Sequence, residues 1–194
     1  MDPMGKAILK AAAYQPPHEV PSSEYPFSLI TGRTLYHFHT RTKTARAPQL
    51  QQAAPEVWVE CSAGDAATAA LSEGDVVEVS TPRGAVQGRL GISGIRDGVL
   101  FLPFHYGYWD TEGGHEPDGA GRAANELTIT DWDAASKQPI FKTAAAALRK
   151  VRPGDGPSSA PTNTGSAPLH ASVQPTRAGA AAEVAEELPT AGAS

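Results

Sequence analysis

A mainly β domain with short helices, closed into a barrel and followed by a disordered tail, is the fold this sequence predicts. Three observations predict it: short strand-like runs recur between Gly, Pro and Asp turns, only brief alanine-rich stretches suit helix, and the composition shifts sharply near Pro153.

Residues 1–25, with Pro16, Pro17 and Pro21, read as an extended lead-in or linker rather than a folded unit. Residues 27–30 form the first apolar run and predict a strand. Residues 45–54 read as a short helix stopped by Pro55, and 56–61 alternate as a strand. Ser62 followed by Asp65 resembles a capped helix start, with alanines favouring helix over 63–71. Ser72-Glu73-Gly74-Asp75 is a turn, after which 76–80 and 85–92 make a hairpin through Pro82-Arg83-Gly84. Arg96-Asp97-Gly98 turns the chain into 99–104, an unbroken apolar run expected to be buried on both faces. A Gly-rich excursion over 105–123 follows, long enough to suggest a functional loop. Residues 140–151 are ambiguous, since alanine favours helix while Pro139 and the strand-rich context favour a last strand. The domain is thus 26–152, and 153–194, rich in Pro, Ala, Gly and Ser without one aromatic residue, is expected to be disordered.

Composition excludes several classes of function. The net charge of -5 argues against nucleic acid as a partner. No apolar stretch approaches a membrane span and no secretion signal opens the chain, so the expectation is a cytoplasmic protein. Cys61 is the only cysteine, which excludes an internal disulfide or a multi-thiolate metal centre and suits a small buried side chain.

Against that acidic background, Arg33, Arg41, Lys43 and Arg46 occur with no acidic residue between Gly32 and Gln49. The local field is therefore positive. Gly32 permits close backbone approach to a ligand or a positive φ. Arg grips a phosphate through paired hydrogen bonds, and Thr40, Thr42 and Thr44 offer hydroxyls at alternate positions. That set suits a pyrophosphate. His37 and His39 have the spacing of metal ligands but no third ligand beside them, so hydrogen bonding is the better role.

Five motifs occur in an order that resembles a known family: Thr31-Gly32-Arg33 with His37-Phe38-His39-Thr40, then Glu73-Gly74-Asp75, Pro103-Phe104-His105-Tyr106-Gly107, Ala124-Asn125-Glu126-Leu127-Thr128, and Gln138-Pro139-Ile140-Phe141-Lys142. Over residues 26–151 the chain is similar to the C-terminal molybdopterin-dinucleotide-binding domain of the dimethyl-sulfoxide-reductase family of molybdenum oxidoreductases. Within it, assimilatory nitrate reductases are most alike and formate dehydrogenases next.

The resemblance implies a double-psi β-barrel that binds molybdopterin guanine dinucleotide, two of which chelate one molybdenum (Mo-bis-MGD). The implied cofactor residues are Thr31, Gly32, Arg33, His37, His39, Thr40, Thr42, Lys43, Thr44, Asn125, Phe141 and Lys142. Asn125 would meet the pterin's donor and acceptor edge, and Lys142 a phosphate or pterin oxygen. His105 and Trp109 fall where a loop reaches a substrate funnel. The family's cysteine cluster for a [4Fe-4S] centre and its molybdenum ligand have no counterpart, so the chain is expected to be the last domain of a longer catalytic subunit, inactive alone, with the remaining domains or subunit as its partner. The competing reading is a double-psi barrel that binds protein or ligand without redox activity. An aspartic protease is disfavoured by the lack of Asp-Thr-Gly or Asp-Ser-Gly.

Overall fold

Alternating buried and part-exposed residues in Val76–Thr81 and along Gly84–Ser93 set the strand period of two, and the covered run Val99–Pro103 forms an interior strand. The computed structural model describes residues 13–107 and 123–156 together with Gly5, Leu9 and Ala11. Its elements are β1 (Phe27–Gly32), α1 (Pro48–Ala53), β2 (Trp58–Ser62), α2 (Ala63–Thr68), β3 (Val76–Thr81), β4 (Gly84–Ser93), β5 (Val99–Pro103) and β6 (Thr143–Arg152), with 3-10 turns at Thr44–Arg46 and Ala124–Leu127.

The strands close a barrel in the order β1-β5-β2-β4-β3-β6. β1 runs parallel to β5 and β2 parallel to β4, while the other neighbours are antiparallel. Exchanging β1 with β4, β2 with β5 and β3 with β6 returns the same neighbours in the same senses. Two interlocked halves related in this way make a double-psi β-barrel.

Leu29, Val59, Val77, Val79, Val86, Leu90, Leu100 and Leu102 fill the interior, each wholly buried. At about 25 cal/mol per Å² of apolar surface, this lining is the main stabilising term. Cys61 joins it, and burial pushes its thiol up to about 11, as suits an inert core residue.

The ambiguous stretch resolves as β6. Ala144 and Ala146 point into the core and the strand closes the barrel between β1 and β3, so tertiary pairing overrides alanine's helix preference. α2 is shorter than its alanines suggest. Ser62 caps it by accepting from Asp65 N–H at 3.0 Å, and it ends where Ala70 takes φ 52°. There the Leu71 N–H reaches Ala66 O at 2.8 Å and the Ala70 N–H reaches Ala67 O at 3.2 Å, a Schellman stop with alanine in the position glycine usually holds.

The register places the C-terminal ends of β1, β3 and β5 and the N-terminal ends of β2, β4 and β6 on one rim. The loop after β1 and the β3–β4 turn emerge there, and the passage from β5 to β6 leaves from that rim and returns to it. Every site residue proposed from the sequence thus belongs to one end of the barrel, except that Trp109 lies outside the described residues. The disordered-tail expectation likewise falls mostly on 157–194, outside them.

Candidate functional site

Gly32 ends β1 for a packing reason. A Cβ there would come within 2.6 Å of the Phe101 ring, and Gly32 is not among the residues with positive φ. The left-handed backbone falls instead on His39 (φ 46°) and Arg41 (φ 62°), which turn the loop back on itself. Thr31 is buried, and its hydroxyl donates to Phe141 O at 3.0 Å while Lys142 O accepts its N–H at 3.2 Å. That pair of bonds draws Phe141 and Lys142 alongside the loop.

Beneath the loop lies a small second core of Ala54, Trp58 and Tyr106. His37, 5% exposed, packs its ring edgewise on Tyr106, with centroids 5.9 Å apart. Its Nε2–H donates to Ala54 O at 2.7 Å, and the Tyr106 hydroxyl donates to the same carbonyl at 2.9 Å. Nδ1 shares a hydrogen bond with the Thr44 hydroxyl at 3.0 Å, whose oxygen also accepts the Phe38 N–H at 3.3 Å. A carbonyl can only accept, so Nε2 carries a proton. His37 and Thr44 therefore brace the loop from within.

Arg41 also turns inward. It is 3% exposed, donates from Nη2 to Gln51 Oε1 at 2.6 Å and lies 4.3 Å above the Tyr106 ring. His105 joins the two rim loops: Nε2 accepts the Thr34 N–H at 2.8 Å, so Nδ1 carries the proton and donates to His39 O. Burial holds its pKa below the ordinary value, in keeping with a neutral ring.

The remaining groups face outward. Arg33, His39, Thr40, Thr42, Lys43, Asn125 and Lys142 are exposed, and the Thr40 and Thr42 hydroxyls meet at 2.8 Å. The Lys142 ammonium rests 4.2 Å above the Phe104 ring and 5.1 Å from that of Phe141. Burial, and then the charge of Arg33, hold its pKa below the usual lysine value. Asn125 projects from the 3-10 turn at Ala124–Leu127, and its backbone carbonyl accepts both the N–H and the hydroxyl of Thr128.

Charge pairing sets these outward cations apart from several others on the barrel. In the β3–β4 turn Arg83 pairs with Glu19, and along the barrel Arg89 pairs with Glu56 and Asp155, Arg149 with Glu78, and Lys150 with Asp75. Among the described residues, none of Arg33, Lys43, Arg46 or Lys142 has a carboxylate partner. Cations without carboxylate partners, beside the exposed Thr40 and Thr42 hydroxyls, fit a polyphosphate from outside the chain. Among the described residues no three His, Cys, Asp or Glu side chains gather as a metal site.

A family model described as molydopterin dinucleotide binding domain matches residues 27–145. The chain belongs to that family. A nitrate reductase of Symbiobacterium thermophilum is 36% identical over 152 residues, which are 77% of this chain and 19% of that protein. This molydopterin-binding chain therefore spans about a fifth of the relative's length. Acetylene hydratase from Pelobacter acetylenicus superposes with a TM-score of 0.55 at 22% identity, over 65% of this chain and 18% of that one, a likeness of fold. No helix among the described residues is long and apolar enough to cross a membrane.

Sequence reasoning located the outward cations and missed the inward braces. Arg41 contributed to the positive field in that reading, yet its charge is held inside the loop by Gln51 and Tyr106. Gln51 and Tyr106 carried no signal of their own. The sole hint was that Tyr106 sits beside His105 in the motif after β5.

Proposed function

We propose that this rim holds the pyrophosphate and pterin of a molybdopterin guanine dinucleotide for a nitrate-reductase-like molybdenum oxidoreductase whose other domains lie outside this chain. The observation that carries the reading is the set of outward cations, Arg33, Lys43, Arg46 and Lys142, without carboxylate partners among the described residues, set against the paired Arg83, Arg89, Arg149 and Lys150. Arg33, Lys43 and Lys142 would hold phosphate oxygens, with Thr40, Thr42 and His39 as further hydrogen-bond donors beside them. Asn125, exposed on its own short turn, would meet the pterin edge. Thr31, His37, Thr44 and His105 act one step back, since their hydrogen bonds set the course of the loop.

When bound in pairs around molybdenum, such a cofactor supplies two-electron redox chemistry, with nitrate, or formate in the related dehydrogenases, as substrate. This chain contributes binding, orientation and positive potential. Residues 26–152 would be the binding unit, the partner the rest of a cytoplasmic catalytic subunit, and turnover absent from the chain alone.

The test is a calorimetric titration of the purified chain with guanosine diphosphate and with the intact dinucleotide, alongside a chain carrying Arg33→Ala, Lys43→Ala and Lys142→Ala. Saturable binding that the triple variant loses supports the reading. Equal binding by both chains sinks it, and absence of binding by a folded wild type favours the non-redox adaptor.

A further inference from the structure

The lead-in is fastened to the rim more firmly than a linker needs to be. Glu19 and Arg83 keep side-chain exposures of only 23% and 25%. The two Glu19 oxygens take both terminal nitrogens of Arg83 at 2.8 and 2.9 Å, an oriented, bidentate pair. Glu19 Oε1 also accepts the Ala145 N–H on β6 at 2.6 Å. Arg83, in the β3–β4 turn, donates its Nε–H to Leu127 O at 3.1 Å. Next to Glu19, His18 Nδ1 bonds to Asp131 Oδ2 at 3.0 Å. Arg83 holds the Glu19 carboxyl below its usual range, so the pair is formed at neutral pH.

Leu127 closes the short turn that carries Asn125, and β6 begins directly after Lys142. One dipeptide of the lead-in thus reaches both segments that bring outward site residues to the rim from the far side of the barrel.

We propose that Glu19 and Arg83 are positioning residues, which fix the Asn125 turn through Leu127 and the Phe141-Lys142 segment through Ala145, and so make the lead-in part of the ligand-binding unit. The positioning rests on the function proposed above, whereas the clasp itself does not. Loss of the carboxylate frees the arginine and uncaps the Ala145 amide. Both segments then open more often without any change in the groups that would touch a ligand.

The experiment compares the full chain with Glu19→Ala, Glu19→Gln and, as a control on the barrel wall, Arg149→Gln, which breaks the Arg149–Glu78 pair. Amide hydrogen exchange is followed over 124–130 and 143–147, and guanosine diphosphate is titrated into each. Glu19→Ala is expected to speed exchange in both segments about tenfold and to weaken binding about threefold to tenfold. Glu19→Gln, which keeps one acceptor, should fall between, and the control should match wild type. Should Glu19→Ala fail to fold, Glu19→Gln carries the test. Unchanged exchange in a folded variant overturns the clasp, and faster exchange with unchanged affinity overturns the positioning role. If wild type binds no guanosine diphosphate, the proposed function and the positioning built on it both fail, while the exchange data still decide whether the clasp exists.

Discussion

The backbone N–H of Thr34 donates to Nε2 of His105 at 2.8 Å, which joins the loop after β1 to the loop after β5. The bond exists only while the imidazole is neutral, because a protonated ring has no lone pair to accept with. A rim assembled from two separate loops thus depends on the protonation of one buried side chain.

His105 should therefore make the fold sensitive to acid. Its folded pKa lies below the ordinary 6.5, so as the pH falls the unfolded chain takes up the proton first. The stabilisation is complete above 6.5 and is lost as the pH falls from there through the folded value. His105→Gln removes that titration and should cost about 1–3 kcal/mol at neutral pH through the unpaired loop amide. Urea unfolding at about pH 7.5 and pH 5.5 checks it: a wild type that loses no more stability than the variant over that interval rules the idea out.

Ala70 offers a stabilising change. It sits at φ 52° in the stop of α2, exposed, where an L side chain crowds the carbonyl and glycine does not. Ala70→Gly should raise stability by about 0.5–1 kcal/mol, since the relief of strain exceeds glycine's greater entropy when unfolded. A lower unfolding midpoint in denaturant would show that the left-handed turn is not what ends the helix.

The strands were legible because each carries its own signal: apolar alternation bounded by Gly74-Asp75, Pro82-Arg83-Gly84 and Arg96-Asp97-Gly98. β6 was not, since a run of alanines reads as helix until β1 and β3 claim its edges. The outward site followed from local charge, for Arg33 and Lys43 stand in a segment without acids. Burial of Arg41 had no local sign, because it depends on Tyr106, which arrives on the loop after β5. The Glu19–Arg83 pair was hidden for the same reason, two ordinary charges far apart in the chain and joined only by the closed barrel.

Gly32 should tolerate no side chain while Phe101 stays in place. A methyl group would stand 2.6 Å from the ring edge, well inside contact distance. Gly32→Ala should cost about 1–3 kcal/mol as an overpacked site, and Phe101→Leu in the same chain should recover part of that loss. A double-mutant cycle with no coupling between the two positions would mean that Gly32 serves something other than this packing.

Inorganic pyrophosphate tests the rim charge without any pterin. Wild type should gain thermal stability with added pyrophosphate, and the gain should shrink in high salt because the cations are exposed and screened. Arg33→Ala and Lys142→Ala should each weaken the apparent affinity about tenfold, the loss of one charge-assisted hydrogen bond of about 1.5 kcal/mol. Lys142 adds a pH signature. Burial and Arg33 favour its neutral form, whereas an anion favours the charged one, so affinity should decline as the pH rises through its lowered value. That decline should vanish in Lys142→Ala and persist in Arg46→Ala, whose side chain no longer adds to the field but leaves Lys142 in place. A pH profile identical in wild type and Lys142→Ala would place the anion elsewhere on the rim.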